Sequence, residues 1–376
     1  MIDAPEVKAW DSHVMSTLRA FPTRKKNCYS IDIEKKNEDS IERVLVRASF
    51  YYGNYDNKFN PPTFNLQFNG NSWSQIITDQ DNIVYTEMVF SLNNGNNINI
   101  CLAQTEPDNI PFISALEVRS VNRFSYRYVD SIYPLFFFER IAFGANATIR
   151  YPEDIYDRIW GPVDTNIRVR SNSPYRNVNI DDGKPLQALS AELKQLIEVK
   201  NSNLSSPPVY AAGKNYDSHP TVLRETHLNS SGDMVLNGVS DPKVPVHFNA
   251  FFAEANKLNA TQKRSFNILV NNKNDSTLDP EGPVIPPDIG NIEEVHIFNV
   301  TSFETNSSYS IGLAPTNDST LPPLINALEG YTVGAKLVQG TNSSDDWNGD
   351  PCLPSPYTWD WVACNSDADS PRITAL

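Results

Sequence analysis

Residues 111–117 read PFISALE, and residues 323–329 read PLINALE, 212 positions further along the chain. A second pair precedes them: residues 44–71 are similar to residues 246–273, and Phe64-Asn65-Leu66 falls on Phe266-Asn267-Ile268 at an offset of 202. The two pairs keep their order, and the offsets differ by only ten residues. Because internal repeats constrain the whole architecture, this pattern predicts one module used twice, with a modest insertion in the second copy. Chance similarity between apolar strands is the alternative.

The composition is typical of a β-rich chain with more than one domain. A length of 376 residues favours about two to three domains. A hydrophobic content of 40% can fill cores, and 27 prolines with only 20% charged residues indicate short strands joined by turns. The formal net charge of −14 disfavours nucleic acids and anionic membranes as partners.

Alternating and β-branched runs predict strands along most of the chain. Phe64, Leu66 and Phe68 alternate with polar residues, as in a strand with one face on a core. The best helical pattern covers residues 186–199, whose leucines share one face. Other strands are predicted at residues 28–33, 43–52, 98–102, 113–121, 135–138, 244–252, 264–270, 295–300 and 309–313.

The four cysteines are spaced unevenly. Cys352 and Cys364 are close in sequence, whereas Cys28 and Cys101 lie far apart in strand-like runs. Two disulfides would fit a secreted protein, and four buried thiols in a cytosolic protein are the alternative. A zinc site is disfavoured because no CxxC or nearby histidine accompanies either pair.

Residues 337–376 differ in kind from the rest. Trp347, Trp359 and Trp361 place half of the six tryptophans within fifteen positions. A segment this short cannot form its own core, so we expect it to cap a following unit. Residues 371–376 are predicted to begin that unit.

Several of these motifs resemble the malectin-like region of plant receptor-like kinases. The resemblance is carried by residues 21–29, 50–56, 98–102, 111–117, 151–160 and 321–329. The Gly349-Asp350-Pro351-Cys352 segment, followed by a repeat-like start, is similar to the leucine-rich-repeat malectin subgroup, the symbiosis receptor kinase type.

The resemblance implies a mainly β chain with two tandem malectin-like β-sandwiches, of the galactose-binding-like or jelly-roll kind. The first would occupy residues 1–130, the second residues 131–336 with an insertion near 180–240, and residues 337–376 would form the disulfide cap and start of leucine-rich repeats. It also implies that Cys28 pairs with Cys101 and Cys352 with Cys364.

The sequence departs from the family pattern in three ways. The opening strands of the first sandwich are expected to be missing before about residue 15, where a lost strand would expose a sheet edge. Residues 180–240 match poorly. The repeats, the membrane span and the kinase are not in this chain, which opens without a secretory leader and has no run of 18 apolar residues.

No catalytic constellation emerges from the sequence. None of the five histidines lies in HExxH, and no GxSxG, phosphate-binding loop or kinase signature occurs. Glu153, Asp154 and Asp157 could supply two carboxylates for glycoside chemistry. A turn held by ion pairs with Arg158 is the favoured alternative. We therefore predict no catalytic residue, no metal and no cofactor in this chain.

Two surface sites are candidates for binding. Tyr51, Tyr52, Tyr55 and Asp56 lie at a strand end and turn, where aromatic faces and a carboxylate suit a sugar. The alternative is that these tyrosines pack on the sheet and orient the turn. A second candidate is a basic patch for acidic wall sugars or a peptide, against which a solvated edge is favoured. The basic residues are Arg119, Arg123 and Arg127.

Nine N-x-[ST] sequons concentrate in the second module and its flank. If they carry glycans, that surface is shielded, and a partner should prefer the first module or the cap. The asparagines are Asn146, Asn203, Asn229, Asn259, Asn274, Asn299, Asn306, Asn317 and Asn342.

The resemblance implies the recognition module of a receptor kinase at the extracellular face of the plasma membrane. The expected partners are a cell-wall carbohydrate or peptide ligand and a co-receptor kinase, with signalling through a kinase outside this chain. The alternative is a truncated, soluble malectin-like protein that binds carbohydrate.

Overall fold

The structure is a computed structural model and is almost entirely β. It describes residues 2–3, 14–33, 42–92, 97–121, 126, 129–142, 148–152, 154, 156–162, 170–171, 179–180, 234–239, 245–254, 258–270, 273–274, 278–279, 282–287, 293–301, 308–321, 323–337, 350–354, 357–359, 361–367 and 371–375. The one helix in these ranges is a 3-10 turn at Val14–Ser16. No helix in the described part of the chain has the length and apolarity that a bilayer span needs.

The first half of the chain supplies ten strands. They are β1 (Ile2–Asp3), β2 (Thr17–Ala20), β3 (Lys26–Asp32), β4 (Glu42–Phe50), β5 (Thr63–Phe68), β6 (Asn71–Ile77), β7 (Val84–Leu92), β8 (Asn97–Gln104), β9 (Phe112–Ile113) and β10 (Ala115–Ser120).

The second half and the C-terminal segment supply the remaining strands. They are β11 (Leu135–Ala142), β12 (Gly161–Pro162), β13 (Arg170–Ser171), β14 (Asn179–Ile180), β15 (Met234–Val239), β16 (Pro245–Phe252), β17 (Phe266–Val270), β18 (Lys273–Asn274), β19 (Leu278–Asp279), β20 (Glu293–Thr301), β21 (Ser308–Pro315), β22 (Ala327–Val333), β23 (Ala363–Cys364) and β24 (Ile373–Ala375).

One sheet runs through both halves. Its order is β10-β4-β7-β11-β22-β16-β20-β19, and β11 joins the halves by pairing antiparallel with both β7 and β22. The first half adds a four-stranded sheet, β3-β8-β5-β6, and the second half adds β14-β15-β21-β17-β18.

Both the strand order and the register recur between the halves. The order β10-β4-β7 in the first half matches β22-β16-β20 in the second, and β3-β8-β5-β6 matches β15-β21-β17-β18. Glu117 lies opposite Arg47 as Glu329 lies opposite Asn249, so the two PxxxALE-type stretches occupy the same register. The sequence repeat therefore coincides with a repeat of strand pairing.

A buried aromatic core fills the space between the two sheets of the first half. Phe50 of β4, Phe64 of β5 and Phe112 of β9 are fully buried and meet edge to face, with ring centroids 5.5 to 6.1 Å apart. Such pairs stabilise beyond the area they bury. Phe112 belongs to the repeated PFISALE stretch, which thus enters the centre of this core.

The opposite face of the central sheet carries a row of alternating charges. Neighbouring members are linked by ion pairs: Arg47 Nε lies 2.7 Å from Glu87 Oε1, Arg140 Nη1 lies 2.9 Å from Glu87 Oε2, and Arg140 Nε lies 3.1 Å from Glu329 Oε2. All four side chains are fully buried. In order across the sheet, the row is Glu117, Arg47, Glu87, Arg140, Glu329 and Asn249.

Tyr126, Asp154 and Arg158 lie against this charge row. Arg158 Nη1 lies 3.3 Å from Glu329 Oε1, and its Nε donates to Asp154 Oδ2 at 3.0 Å. Tyr126 donates its hydroxyl to Glu329 at 3.2 Å, and Asn249 Nδ2 donates to the same carboxylate at 2.8 Å. Glu329 is thus fully enclosed but well supplied with donors, as a buried charge requires.

The arginines keep both central carboxylates ionised. Burial alone would raise the pKa of Glu87, but Arg140 and Arg47 reverse that effect, and the net pKa is lowered. For Glu329, Arg158 and Arg140 likewise outweigh burial and lower the pKa. Glu87 and Glu329 are therefore ionised near neutral pH.

Most predicted strands are present, with ends shifted by a few residues. The strand predicted at 135–138 extends to Ala142, whereas β6 and β7 are not among the predicted strands. Every residue of β7 is buried, so it lacks the polar alternation that marks a strand in a sequence. The predicted helix at 186–199 lies outside the described residues.

Two disulfides are formed, in the pairing that the family resemblance implies. Cys28 of β3 and Cys101 of β8 are directly opposite each other in the sheet. Cys352 and Cys364 close a loop near the C-terminal end. The described residues contain no free cysteine.

Replacing Glu329 by Gln is expected to lower the free energy of unfolding by about 3–5 kcal/mol, since it leaves two buried arginines short of a counter-charge. The matched control is Glu117→Gln, because Glu117 has the same register in the first half but a side chain 18% exposed. That variant should lose less, because Arg47 keeps Glu87 and Asp157 as counter-charges. Urea unfolding followed by far-UV circular dichroism measures both, and equal losses would contradict this assignment.

Candidate functional site

The loop between β4 and β5, residues 51–62, is the best-organised candidate site. Its backbone is left-handed at Gly53, Asn54, Asn57 and Phe59, with φ between 50° and 58°. Glycine and asparagine adopt this conformation at low cost, but a bulky side chain does so only when the surroundings hold it. The loop is therefore a fixed, locally strained structure.

Tyr52 braces the loop from inside. Its side chain is fully buried and its ring lies 6.2 Å from Phe112 and 5.5 Å from Tyr55. The Tyr52 hydroxyl donates to Asp56 Oδ1 at 2.5 Å and accepts a hydrogen bond from the Asn60 backbone N–H at 3.3 Å. Burial and the hydrogen bond to Asp56 raise the pKa of Tyr52 to about 12, so the hydroxyl remains a donor.

Phe59 is the residue that this bracing presents to solvent. Its side chain is 69% exposed, the most exposed of the large apolar side chains in the described ranges. Its backbone N–H donates to Asn54 Oδ1 at 2.8 Å, and the neighbouring Lys58 N–H donates to Asp56 Oδ1 at 3.2 Å. The side chains of Asn54 and Asp56 thus fix the backbone around Phe59, whose φ is 52°, so that its ring faces water.

The sequence prediction pointed to this loop but to different residues. Tyr51 and Tyr52 are buried, Tyr51 against Met15 and Ile83, which matches the packing alternative rather than an open aromatic face. Tyr55 and Asp56 are half-buried and border the exposed loop. Phe59 was missed because neither composition nor spacing reveals which aromatic of a turn points outward.

The acidic knot is a structural cluster. Asp154 accepts hydrogen bonds from Arg158 Nε at 3.0 Å and from Trp160 Nε1 at 2.6 Å. Asp157 accepts from Arg150 Nη2 at 2.8 Å and from the Tyr151 backbone N–H at 3.2 Å. Both carboxylates are already paired and buried, which suits ion-paired packing rather than glycoside chemistry. Glu153 lies outside the described residues.

Neighbouring arginines lower the pKa of Asp157. Burial opposes ionisation, but the hydrogen bond from Arg150 and the charges of Arg47 and Arg150 lower the pKa to about 2. A carboxylate with that pKa does not serve as an acid near neutral pH.

The predicted basic patch is represented by Arg119 alone. Its guanidinium contacts Glu117 at 2.9 Å and Asp157 at 3.3 Å, so its charge is matched locally. Arg123 and Arg127 lie outside the described residues. Within the described ranges, no group of three or more histidine, cysteine, aspartate or glutamate side chains is placed to hold a metal ion.

Two of the nine sequons have described, exposed side chains. Asn259 and Asn317 lie on loops that are bonded to each other: Thr320 N–H donates to Lys263 O at 2.8 Å, and Lys263 pairs with Asp318. Asn274 and Asn299 lie in β18 and β20. The remaining sequon asparagines, Asn146, Asn203, Asn229, Asn306 and Asn342, fall outside the described residues.

A family model described as Malectin-like domain matches residues 1–333. The chain is 30% identical over 380 residues to Probable LRR receptor-like serine/threonine-protein kinase PAM74 of Arabidopsis thaliana, covering 96% of this chain and 38% of that protein. It is 31% identical over 388 residues to Receptor-like protein kinase At5g59670 of the same plant, covering 96% and 39%. The chain thus spans about two-fifths of the length of these curated relatives.

Solved receptor ectodomains share the fold. The ANXUR2 extracellular domain of Arabidopsis thaliana aligns with a TM-score of 0.60 at 14% identity, covering 89% of this chain and 90% of that one. FER, in the complex of plant peptide RALF23 with FER and LLG2, aligns with a TM-score of 0.55 at 16% identity, covering 92% and 87%. At such identities the likeness concerns the fold alone.

Proposed function

The chain belongs to the malectin-like domain family, in the form found in the ectodomains of plant receptor-like kinases, and from that membership we propose that it recognises an extracellular ligand for a leucine-rich-repeat malectin-like receptor kinase. The observation that carries the proposal is the braced loop that holds Phe59 in solvent. A rigid exposed aromatic loses little conformational entropy on binding, which is what a recognition anchor needs.

The chemistry of this loop suits a sugar ring or an apolar side chain of a peptide. The face of Phe59 can stack on either, while the half-buried Asp56 and Tyr55 offer polar contacts beside it. FER, which shares the fold, has been crystallised in complex with a plant peptide, RALF23, and with LLG2. We extend this by analogy: a cell-wall carbohydrate or a peptide is the proposed ligand here, with a co-receptor kinase as a further partner.

The architecture proposed for this function is two tandem malectin-like sandwiches followed by a cap that opens leucine-rich repeats. The repeated strand order and register support a duplication, with the halves dividing near residue 130 and the cap beginning near residue 337. An experimental structure in which β4–β10 and β16–β22 failed to superpose would overturn it. Kinase activity is proposed only for a longer protein, as the names of the curated relatives suggest.

N-glycans at Asn259 and Asn317 are proposed to shield one end of the second half. Both asparagines are exposed and lie on the bonded loops around Lys263, so two glycans would project from one small area. The bulk of those glycans would direct partners to the first half, where Phe59 is found.

Phe59→Ala should weaken ligand binding by at least about fivefold while leaving the melting temperature unchanged, because the side chain is largely exposed. Binding would be measured on the secreted chain with an array of plant cell-wall oligosaccharides and with a RALF-class peptide. Ile285→Ala is the matched control, since Ile285 is 54% exposed in the second half. If Phe59→Ala leaves the ligand affinity unchanged, the loop is not the binding site.

Enzymatic release of N-glycans from the secreted chain should reduce the mass of the peptides that contain Asn259 and Asn317. Asn259→Gln and Asn317→Gln should each remove one glycan without loss of folding, since both side chains are exposed. Peptide mass spectrometry checks this, and unmodified asparagines at both positions in protein secreted from plant cells would contradict the proposed shielding.

A further inference from the structure

The four-stranded sheet of the first half has an outer face that its own core does not use. Phe64, Leu66 and Phe68 of β5 point into the core, so Asn65 and Gln67 lie on the opposite face. In register on that face, Asn65 is beside Ala103 and Gln67 beside Cys101 of the disulfide.

Residues 350–354 and Tyr357, here called the docked segment, lie on this outer face. Lys26 Nζ of β3 donates to Asp350 O at 2.9 Å and also to Leu353 O. Asn65 Nδ2 donates to the hydroxyl of Tyr357. Residues that are more than 290 positions apart in sequence therefore hold the segment against the first half.

Gly70 shapes the contact at the other end of the β5–β6 hairpin. Its φ is +77°, and a Cβ added there would meet Leu353 Cβ at 3.0 Å. Glycine thus serves both the turn and the close approach of the segment. Since the segment contacts Asn65 on one side and Gly70 on the other, Gln67 lies between its two points of attachment.

Several side-chain amide atoms beneath the segment have no hydrogen-bond partner in the described structure. Gln67 is 1% exposed, yet neither its Nε2 nor its Oε1 has a hydrogen-bond partner in the described structure. Oδ1 of Asn65 and Oδ1 of Asn99 also lack a hydrogen-bond partner there. Asn99 lies on β8, on the same face of the sheet as Gln67. Buried amides without partners oppose the docking of the segment, because they gave up hydrogen bonds with water.

We propose that this outer face is a second binding site, for a neutral oligosaccharide, and that the docked segment is an internal occupant that an oligosaccharide displaces. The site is separate from the Phe59 loop and goes beyond the recognition function proposed for it. The ligand would hydrogen-bond Asn65, Gln67 and Asn99 directly.

The donor and acceptor groups on this face favour a neutral polyol. Each amide offers both a donor and an acceptor, and sugar hydroxyls offer the same, so adjacent amides on neighbouring strands suit neighbouring hydroxyls. Lys26 is the one charged side chain among the described groups of the sheet that bond to the segment, and its ammonium is occupied by two backbone carbonyls. A polyanion is disfavoured further by the net charge of −14.

The second half provides an internal comparison. In the repeated register, Asn65 of β5 corresponds to Asn267 of β17 and Gln67 corresponds to Leu269, which lie opposite Ala314 and Gly312. The glutamine at this position therefore belongs to the first half alone, the half on which the docked segment lies. Gln67→Leu reproduces the residue that the chain itself uses at the equivalent position.

The test titrates neutral cell-wall oligosaccharides into the full chain by isothermal calorimetry, alongside three variants. Gln67→Leu should reduce affinity by at least about tenfold, with a melting temperature equal to or above that of the parent chain, because an unpaired buried amide is removed. Leu353→Ala should raise affinity at least about threefold, since it weakens the competing segment at Gly70. Ile285→Ala, an exposed site in the second half, should leave this binding unchanged.

Two results would overturn the proposal. One is oligosaccharide binding that survives Gln67→Leu at full strength; if Phe59→Ala abolishes that binding, the loop site stands and the sheet site falls. The other is a folded Leu353→Ala chain that binds no oligosaccharide of the panel. That result would show that the unpaired amides reflect imperfect packing and do not form a binding site. Circular dichroism of each variant establishes that it is folded.

Discussion

Buried charge on the central sheet is the constraint on which the rest of the structure depends. Glu87 and Arg140 are fully enclosed, and neither can remain charged in the interior without its partner. Glu87 belongs to the first half, while Arg140 lies on β11 and reaches Glu329 of the second half. A change in the position of one half relative to the other would leave a buried charge without its partner, so the charge row couples the halves.

The loop at residues 51–62 begins on the same framework. Arg47 and Phe50 lie on β4, and the loop leaves directly after Phe50. Tyr52, buried against Phe112, then fixes the loop to the aromatic core, and Asn54 and Asp56 hold the turn that exposes Phe59. A rigid sheet, a buried brace and an exposed aromatic together form a preorganised surface, and preorganisation reduces the entropic cost of association.

Local pattern and repetition made much of the fold predictable. Phe64, Leu66 and Phe68 alternate as a half-buried strand must, and the repeated PFISALE and PLINALE stretches share one register. The charge row was not predictable, because its members come from separate strands and meet only when the sheet is assembled. β7 escaped prediction for a related reason: a strand buried on both faces shows no alternation. At the candidate site, the sequence pointed to the loop, but whether Tyr52 or Phe59 faces solvent depends on the hydrogen bonds that Asn54 and Asp56 accept.

Differential scanning calorimetry of the whole chain tests most directly whether the charge row makes the two halves one unit. If it does, the chain should unfold in a single transition whose calorimetric and van't Hoff enthalpies agree. Two resolved transitions, each with the enthalpy of one half, would show that the halves unfold independently and would contradict the coupling.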